Sequence, residues 1–168
     1  MQRSVVRGLL LLSVFFATGT RGVAAEDSGT FFTVSGDVSV EVEEATAQMV
    51  RIRDRIPAIT ITSAPASIKK LGSSYSVTLF FSNDFDPQPG SYPIAFEYRN
   101  QTNTLGGSFR QRGGMFSHDT RGTAEFVEFG EQVKVRFEFE TFATSAGSEG
   151  RGRVLVRGEA VCARADIF

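Results

Sequence analysis

The sequence predicts an all-β protein, a single-domain antiparallel β-sandwich, and three observations predict it. Apolar residues recur at every second position through most of the chain beyond residue 30, the period of a strand with one buried face. Clusters of Gly, Pro, Asn and Asp separate those runs and read as turns. No stretch shows a convincing helical spacing of apolar residues, and there is no repeat or low-complexity tract. Many short strands with turns between them build a sandwich, with a small closed barrel as the alternative.

Composition sets the bounds. A chain of 168 residues suits one domain, and 41% hydrophobic with 22% charged residues is ordinary globular usage, which excludes disordered and collagen-like classes. The aromatic set is lopsided, with 16 Phe, 3 Tyr and no Trp. One Cys (Cys162) and one His (His118) cannot build a Cys/His zinc site or an internal disulfide. No cofactor is implied. Cys162 reads as a buried small hydrophobe, with pairing between chains as the alternative.

Residues 1–25 read as a cleavable signal peptide, ahead of a β-sandwich domain at 26–168. Arg3 and Arg7 precede the apolar block Leu9 to Ala17, and Val23-Ala24-Ala25 follows with the small residues a signal peptidase reads. The block is too short for a membrane-spanning helix, which needs about 20 residues, and nothing later is long and apolar enough. The expected location is therefore periplasmic or secreted. Cleavage removes three of 18 basic residues and no acid, leaving 15 against 19 acidic and a mature net charge of −4. That mild acidity gives no drive toward nucleic acid. The basic residues are mostly Arg, which suits bidentate recognition of anions, although codon bias explains it as well.

The elements follow in order. Phe32, Val34, Gly36, Val38, Val40 and Val42 alternate with polar residues as one run. Gln48 to Asp54 places Val50 and Ile52 opposite Arg51, Arg53 and Arg55. Ile59 and Ile61 mark a strand after Pro57, and Ala64 to Ser74 reads as a loop with one helical turn. Tyr75, Val77, Leu79 and Phe81 alternate cleanly. Asn83 to Gly90 is a turn, Tyr92 to Tyr98 alternates again, and Asn100 to Gly107 is a loop. Phe109, Met115 and Phe116 fall in two short strands broken by Gly. Gly130-Glu131 fits a two-residue hairpin turn. That turn sets Phe126 opposite Val135, Ala124 opposite Phe137, Gly122 opposite Phe139 and Glu125 opposite Arg136. A second hairpin through Ala143 to Gly150 places Phe137 opposite Val156 and Phe139 opposite Val154, with Glu140 facing Arg153 and Lys134 facing Glu159.

Alternation alone does not say whether the apolar face meets a second sheet or lipid. A small outer-membrane β-barrel would end in Phe, as Phe168 does. Against it, Asp166, Arg164 and Cys162 precede Phe168 at two-residue spacing, and Trp is absent from any aromatic girdle. The apolar face also mixes Phe137 and Phe139 with Gly122, Ala124, Gly158 and Ala160, as a packed interior requires.

The chemical candidates each have a plainer structural explanation. His118-Asp119 is the sole His–acid neighbour pair, but a Ser-His-Asp site needs a geometry that adjacent residues seldom supply, and an exposed loop histidine is expected. Asn83, Asp84 and Asp86 gather oxygens that suit a metal such as calcium, yet Asn and Asp favour turns for local reasons. Arg51, Arg53 and Arg55 form an anion-binding stripe if they share a strand face, or pair across strands with Glu41 and Glu43. Gly147, Gly150 and Gly152 with Arg151 and Arg153 read as a hairpin loop, because no helix follows to cradle a phosphate. Asn100-Gln101-Thr102 is a glycosylation acceptor in a eukaryotic host. Phe80, Val127 and Phe129 fall on the polar face and mark a contact surface or covering layer if they cluster.

The run Pro89-Gly90-Ser91-Tyr92-Pro93-Ile94, followed by Gly122-Thr123-Ala124-Glu125-Phe126 and Val133 to Phe139, resembles small exported bacterial β-sandwich proteins of unknown function. In those, a Gly-x-Tyr strand start precedes a late hairpin rich in Phe and Val. The resemblance covers roughly the second half of the chain. It implies an envelope or secreted location and a sandwich, and carries over no catalytic residue.

The expected function is that of an exported, non-catalytic binding or structural module of the cell envelope or extracellular space. Its partner would be an envelope protein, a glycan or a small apolar ligand. The alternatives are a calycin-like barrel enclosing a small ligand, a secreted hydrolase with titratable groups in a cleft, and the outer-membrane barrel.

Overall fold

The computed structural model describes residues 29–63, 74–111, 114–143 and 152–167. The leader, residues 64–73 of the expected loop Ala64 to Ser74, Gly147, Gly150 and Arg151 of the expected hairpin loop, and Phe168 lie outside the described residues. The protein is all-β, and the described residues form ten strands and one 3₁₀ turn. The sandwich takes the form of one ten-stranded sheet that curls on itself.

The first alternating run folds into a hairpin, β1 (Phe31–Gly36) and β2 (Val40–Val42). Its register pairs Phe32 with Val42 and Val34 with Val40. Partners in an antiparallel pair share a face, and a turn centred on Asp37 keeps even-numbered residues inward on both arms. Alternation therefore runs unbroken through the reversal, and the sequence reads as one strand. Gly36 turns at φ +117°, where an L side chain is strained and a Cβ would strike the Arg153 carbonyl. Asp37 fastens the turn: its N–H donates to the Arg153 carbonyl (3.0 Å), and its Oδ2 accepts from the Arg153 N–H (2.6 Å).

β3 (Ala45–Ile52) and β4 (Ile56–Ser63) form the next hairpin. Arg53 and Asp54 both have positive φ (53° and 55°), and the Arg55 N–H donates to the Ile52 carbonyl (3.2 Å), which defines a type I′ turn. The inward face differs from the expected one. Ile59 and Ile61 are fully buried, and they pair with Met49 and Ala47. Met49 is thus the core residue, while Val50 and Ile52 lie half-buried on the opposite face.

β5 (Ser76–Phe81) buries Val77, Leu79 and Phe81 as expected. β6 (Gly90–Ala95) is shorter than the alternation suggests, because the chain leaves the sheet after Ala95 and makes the 3₁₀ turn Tyr98–Asn100. β7 (Leu105–Gln111) begins inside the expected loop. β8 (Gly114–Phe129), β9 (Gln132–Ala143) and β10 (Arg153–Ala163) form the long C-terminal meander.

The β8–β9 pairing matches the expected register at all four positions: Phe126–Val135, Ala124–Phe137, Gly122–Phe139 and Glu125–Arg136. The turn differs. Phe129 pairs with Val133, so three residues form the loop, and a bulge at Val127 absorbs the extra one. The β9–β10 register is displaced by two residues: Phe137 faces Gly158 and Phe139 faces Val156. A two-residue shift keeps every side chain on its face. Its cause is volume, since the Phe137 ring fills the space beside Gly158 where a Cβ would sit. The charged contacts survive on the outer face, where Lys134 and Arg136 both reach Glu159 (3.1 and 2.9 Å) and Arg153 reaches Glu140.

The strand order is β2-β1-β10-β9-β8-β6-β7-β5-β4-β3. All ladders are antiparallel except one parallel bridge between β6 and β7, at Ile94 and Leu105, so the sheet is mixed. The two margins, β2 and β3, are separated in sequence only by Glu43 and Glu44. Two residues span only about 10 Å between flanking Cα atoms, so the sheet must roll until its edges nearly meet. The Ala45 N–H donates to the Thr30 carbonyl (2.8 Å) at that seam, yet among the described residues no ladder closes the sheet into a barrel. Phe rings fill the interior. Phe126 contacts Phe81, Phe85, Tyr92 and Phe129 at centroid distances of 5.4–6.1 Å. Phe109 packs on Phe116 and Tyr75 farther along.

Candidate functional site

The most distinctive surface feature arises where β8 changes partners. Along one edge β8 pairs first with β7, through Met115 and Phe116, and then with β6, from Arg121 to Phe126. Between these stretches lies a bulge at Asp119 and Thr120, with Asp119 in the left-handed region (φ 47°). Thr120 and Thr141 are buried there. Their hydroxyls bond each other (2.9 Å) and reach the carbonyls of Gly107 and His118 (3.2 and 3.3 Å). Since β6 loses its edge on β8 beyond Ala95, residues 96–100 are free to cross the outer face of β7.

The crossing segment lays the Tyr98 ring directly on Gly106, where a Cβ would stand 2.5 Å from the ring. Phe80 flanks the same ring, stacked at 5.9 Å. Beside this pair opens a groove of about 440 Å³ whose apolar lining is Phe80, Phe96, Tyr98 and Met115. Phe96 is 48% exposed and Met115 42%, unusually open for side chains of that size. Glu97, Arg99, Asn100 and Ser117 supply its polar atoms. Arg99 Nε donates to Tyr98 Oη (3.2 Å), with the guanidinium carbon 5.8 Å from the ring centre.

His118 belongs to strand β8 rather than to a loop. It meets Phe96 edge-on at 5.0 Å, and its Nε2 lies 3.7 Å from Asp119 Oδ2. The structure thus brings His118 and Asp119 to the groove's border. Phe80 acts as the expected covering layer, through Tyr98. Phe129 instead turns into the core, because the Val127 bulge switches the inward parity, and Val127 itself stays exposed. The alternation of Tyr92 to Tyr98 puts Phe96 on the face of Ile94, but β6 ends at Ala95 and Phe96 lies exposed.

The remaining candidates fall elsewhere. Arg51 lies in β3, but Arg53 and Arg55 belong to the type I′ turn, so the three do not share one strand face. β3 pairs with β4 and not with β2, which removes the expected ladder to Glu41 and Glu43. Asn83, Asp84 and Asp86 are exposed in a turn anchored by buried Phe85. That turn is fastened by the Asp86 N–H donating to Asn103 Oδ1 (2.7 Å). Among the described residues no group of three His, Cys, Asp or Glu gathers as metal ligands. Asn100 is exposed at the end of the 3₁₀ turn, on the groove's lining. Cys162 is buried on β10, and burial pushes its thiol up from 9.0 to about 11.

No single segment of the sequence signals the groove, because Phe80, Tyr98, Gly106 and Met115 come from four elements. The available clue was Phe80, which breaks the parity of its strand. Two other depressions differ in character. One, of about 340 Å³, lies over the ion pairs of β8, β9 and β10, and the other, of about 520 Å³, lies between Pro87 and the C-terminal tail. Among the described residues no helix is long and apolar enough to cross a membrane. Comparison of the chain with protein-family models, with curated proteins and with solved structures finds no match, so the resemblance of its second half rests on those residues alone.

Proposed function

We propose that the protein is an exported, non-catalytic binding module of the cell envelope or extracellular space, and that the outer-face groove is its binding site. The observation that carries this reading is the exposure of Phe96 and Met115 around a glycine-floored groove. Among the described residues the other exposed large apolar side chains are Phe31 and Val127, and the outer face of the meander is occupied by ion pairs. Apolar side chains left in water beside a concave surface favour a partner that covers them. Export is supported by the charge, apolar block and small residues of the first 25 positions.

Several features support this reading over the alternatives. The interior is filled by tilted and edge-on Phe rings where a calycin-type site would need space. The Phe and Val stripes point inward and the charges outward, the reverse of a barrel facing lipid. Three carboxylates of the meander are engaged with neighbouring bases: Glu140 with Arg121 and Arg153, Glu138 with Arg157, Glu159 with Lys134 and Arg136. That accounts for them without a catalytic role.

The test is a titration of the ¹⁵N-labelled mature protein with a panel of aromatic and aliphatic fragments, read by amide shifts. Shifts converging on Gly106, Gly107, Phe96 and Met115 are expected. Shifts scattered over the molecule, or confined to the ion-paired face, would reject the assignment.

A further inference from the structure

We propose that the groove takes a small apolar monocarboxylate, such as an aryl acid, with its flat body between Phe96 and Met115 and its carboxylate on Arg99. This rests on the groove being the binding site and adds the chemistry of what enters it.

Four arginines of the meander, Arg121, Arg136, Arg153 and Arg157, each pair with a carboxylate. Arg99 does not: among the described residues its contacts are the Tyr98 hydroxyl and ring. Those contacts hold the guanidinium at the groove by its Nε edge and leave the two terminal amines, a planar fork matched to a carboxylate. An arginine held in place loses less freedom on binding than a mobile one. The adjoining walls are apolar, so the complementary molecule carries one anionic end on an apolar body. Tyr98 and Phe96 add ring faces and edges that suit an aromatic body.

Glu97 selects further. Glu97 lines the same groove, and among the described residues no ion pair joins it to Arg99. One guanidinium beside one carboxylate tolerates a single negative charge and opposes a dianion such as a phosphate monoester. The volume of about 440 Å³ lies in the range of small-molecule sites and is modest for a protein partner.

The experiment compares 2-naphthoate with its neutral isostere 2-naphthamide on the mature protein, by calorimetry and amide shifts at about 0.1 M salt. The acid is expected to bind roughly tenfold tighter, as one charge-assisted contact supplies. Arg99→Gln should weaken the acid far more than the amide, bringing the two affinities to within about twofold; an acid preference that survives the substitution overturns the role given to Arg99. Glu97→Gln should tighten the acid alone, and Phe96→Ala should weaken both ligands. Equal binding of acid and amide at the groove overturns the carboxylate assignment and leaves the groove standing. Absence of shifts at the groove overturns both. Acid-dependent shifts centred on Arg53 and Arg55 overturn the role given to Arg99.

Discussion

Phe137 is 4% exposed, and its ring fills the space across from Gly158. Phe137→Ala should cost about 3–5 kcal/mol in urea unfolding, as for a well-packed core aromatic; a loss under 1 kcal/mol would mean that the ring is not sealed. The ring's facing was legible from alternation. Its partner was not, because two registers two residues apart both pair apolar with apolar, and what decides between them is the missing side chain of Gly158. Cys162 offers a second test. Its thiol is raised by burial to about 11, so it stays protonated in the folded chain where the unfolded chain would ionise. The stabilisation is therefore complete below about 9 and is lost as pH rises through 11. Iodoacetamide at pH 8 should label Cys162 slowly in buffer and rapidly in urea. Equal rates would place the thiol at the surface.

Among the elements, β8 carries the most information. It bends three times, at Ser117, at Asp119–Thr120 and at Val127, and each irregularity adds one residue relative to β9. The centre of the hairpin was readable because its apolar and charged pairs agree on one register. Alternation alone does not reveal the bulges, although Phe126 and Phe129 stand three apart and so record a switch of parity between them. The same blindness applies to β1 and β2, where a turn centred on one residue preserves alternation. Asp119 tests the bulge beside the groove. A β-branched residue is strained in the left-handed region, so Asp119→Val should cost about 1–3 kcal/mol, while Asp119→Gly should stay within about 1 kcal/mol of the parent. Both are read from urea midpoints. Indifference to valine would mean that the segment relaxes to an ordinary strand, and the border of the groove would move with it.

For the whole molecule, one sheet has to serve as both walls of the interior. Period-two patterning shows that a strand has an inner and an outer face, but it holds no information on whether two walls are separate sheets or one that curls. That answer comes from topology, through Glu43 and Glu44. The meander of β8, β9 and β10 is paired on both sides along most of its length, whereas β3 has a ladder only to β4. Hydrogen exchange should therefore be slowest in β9 and β10 and faster across Thr46–Ile52; uniform protection would show that the seam is zipped by more than Ala45 and Thr30. The seam also bears on solubility. Most open sheets have two rims at opposite ends, each able to recruit a neighbour. Here one kinked stretch, 40–52, provides both, and each is screened by the other's proximity. Lengthening the acidic joint by a few residues would let the wall unroll, presenting two growth fronts on one particle, which is the minimum a filament requires.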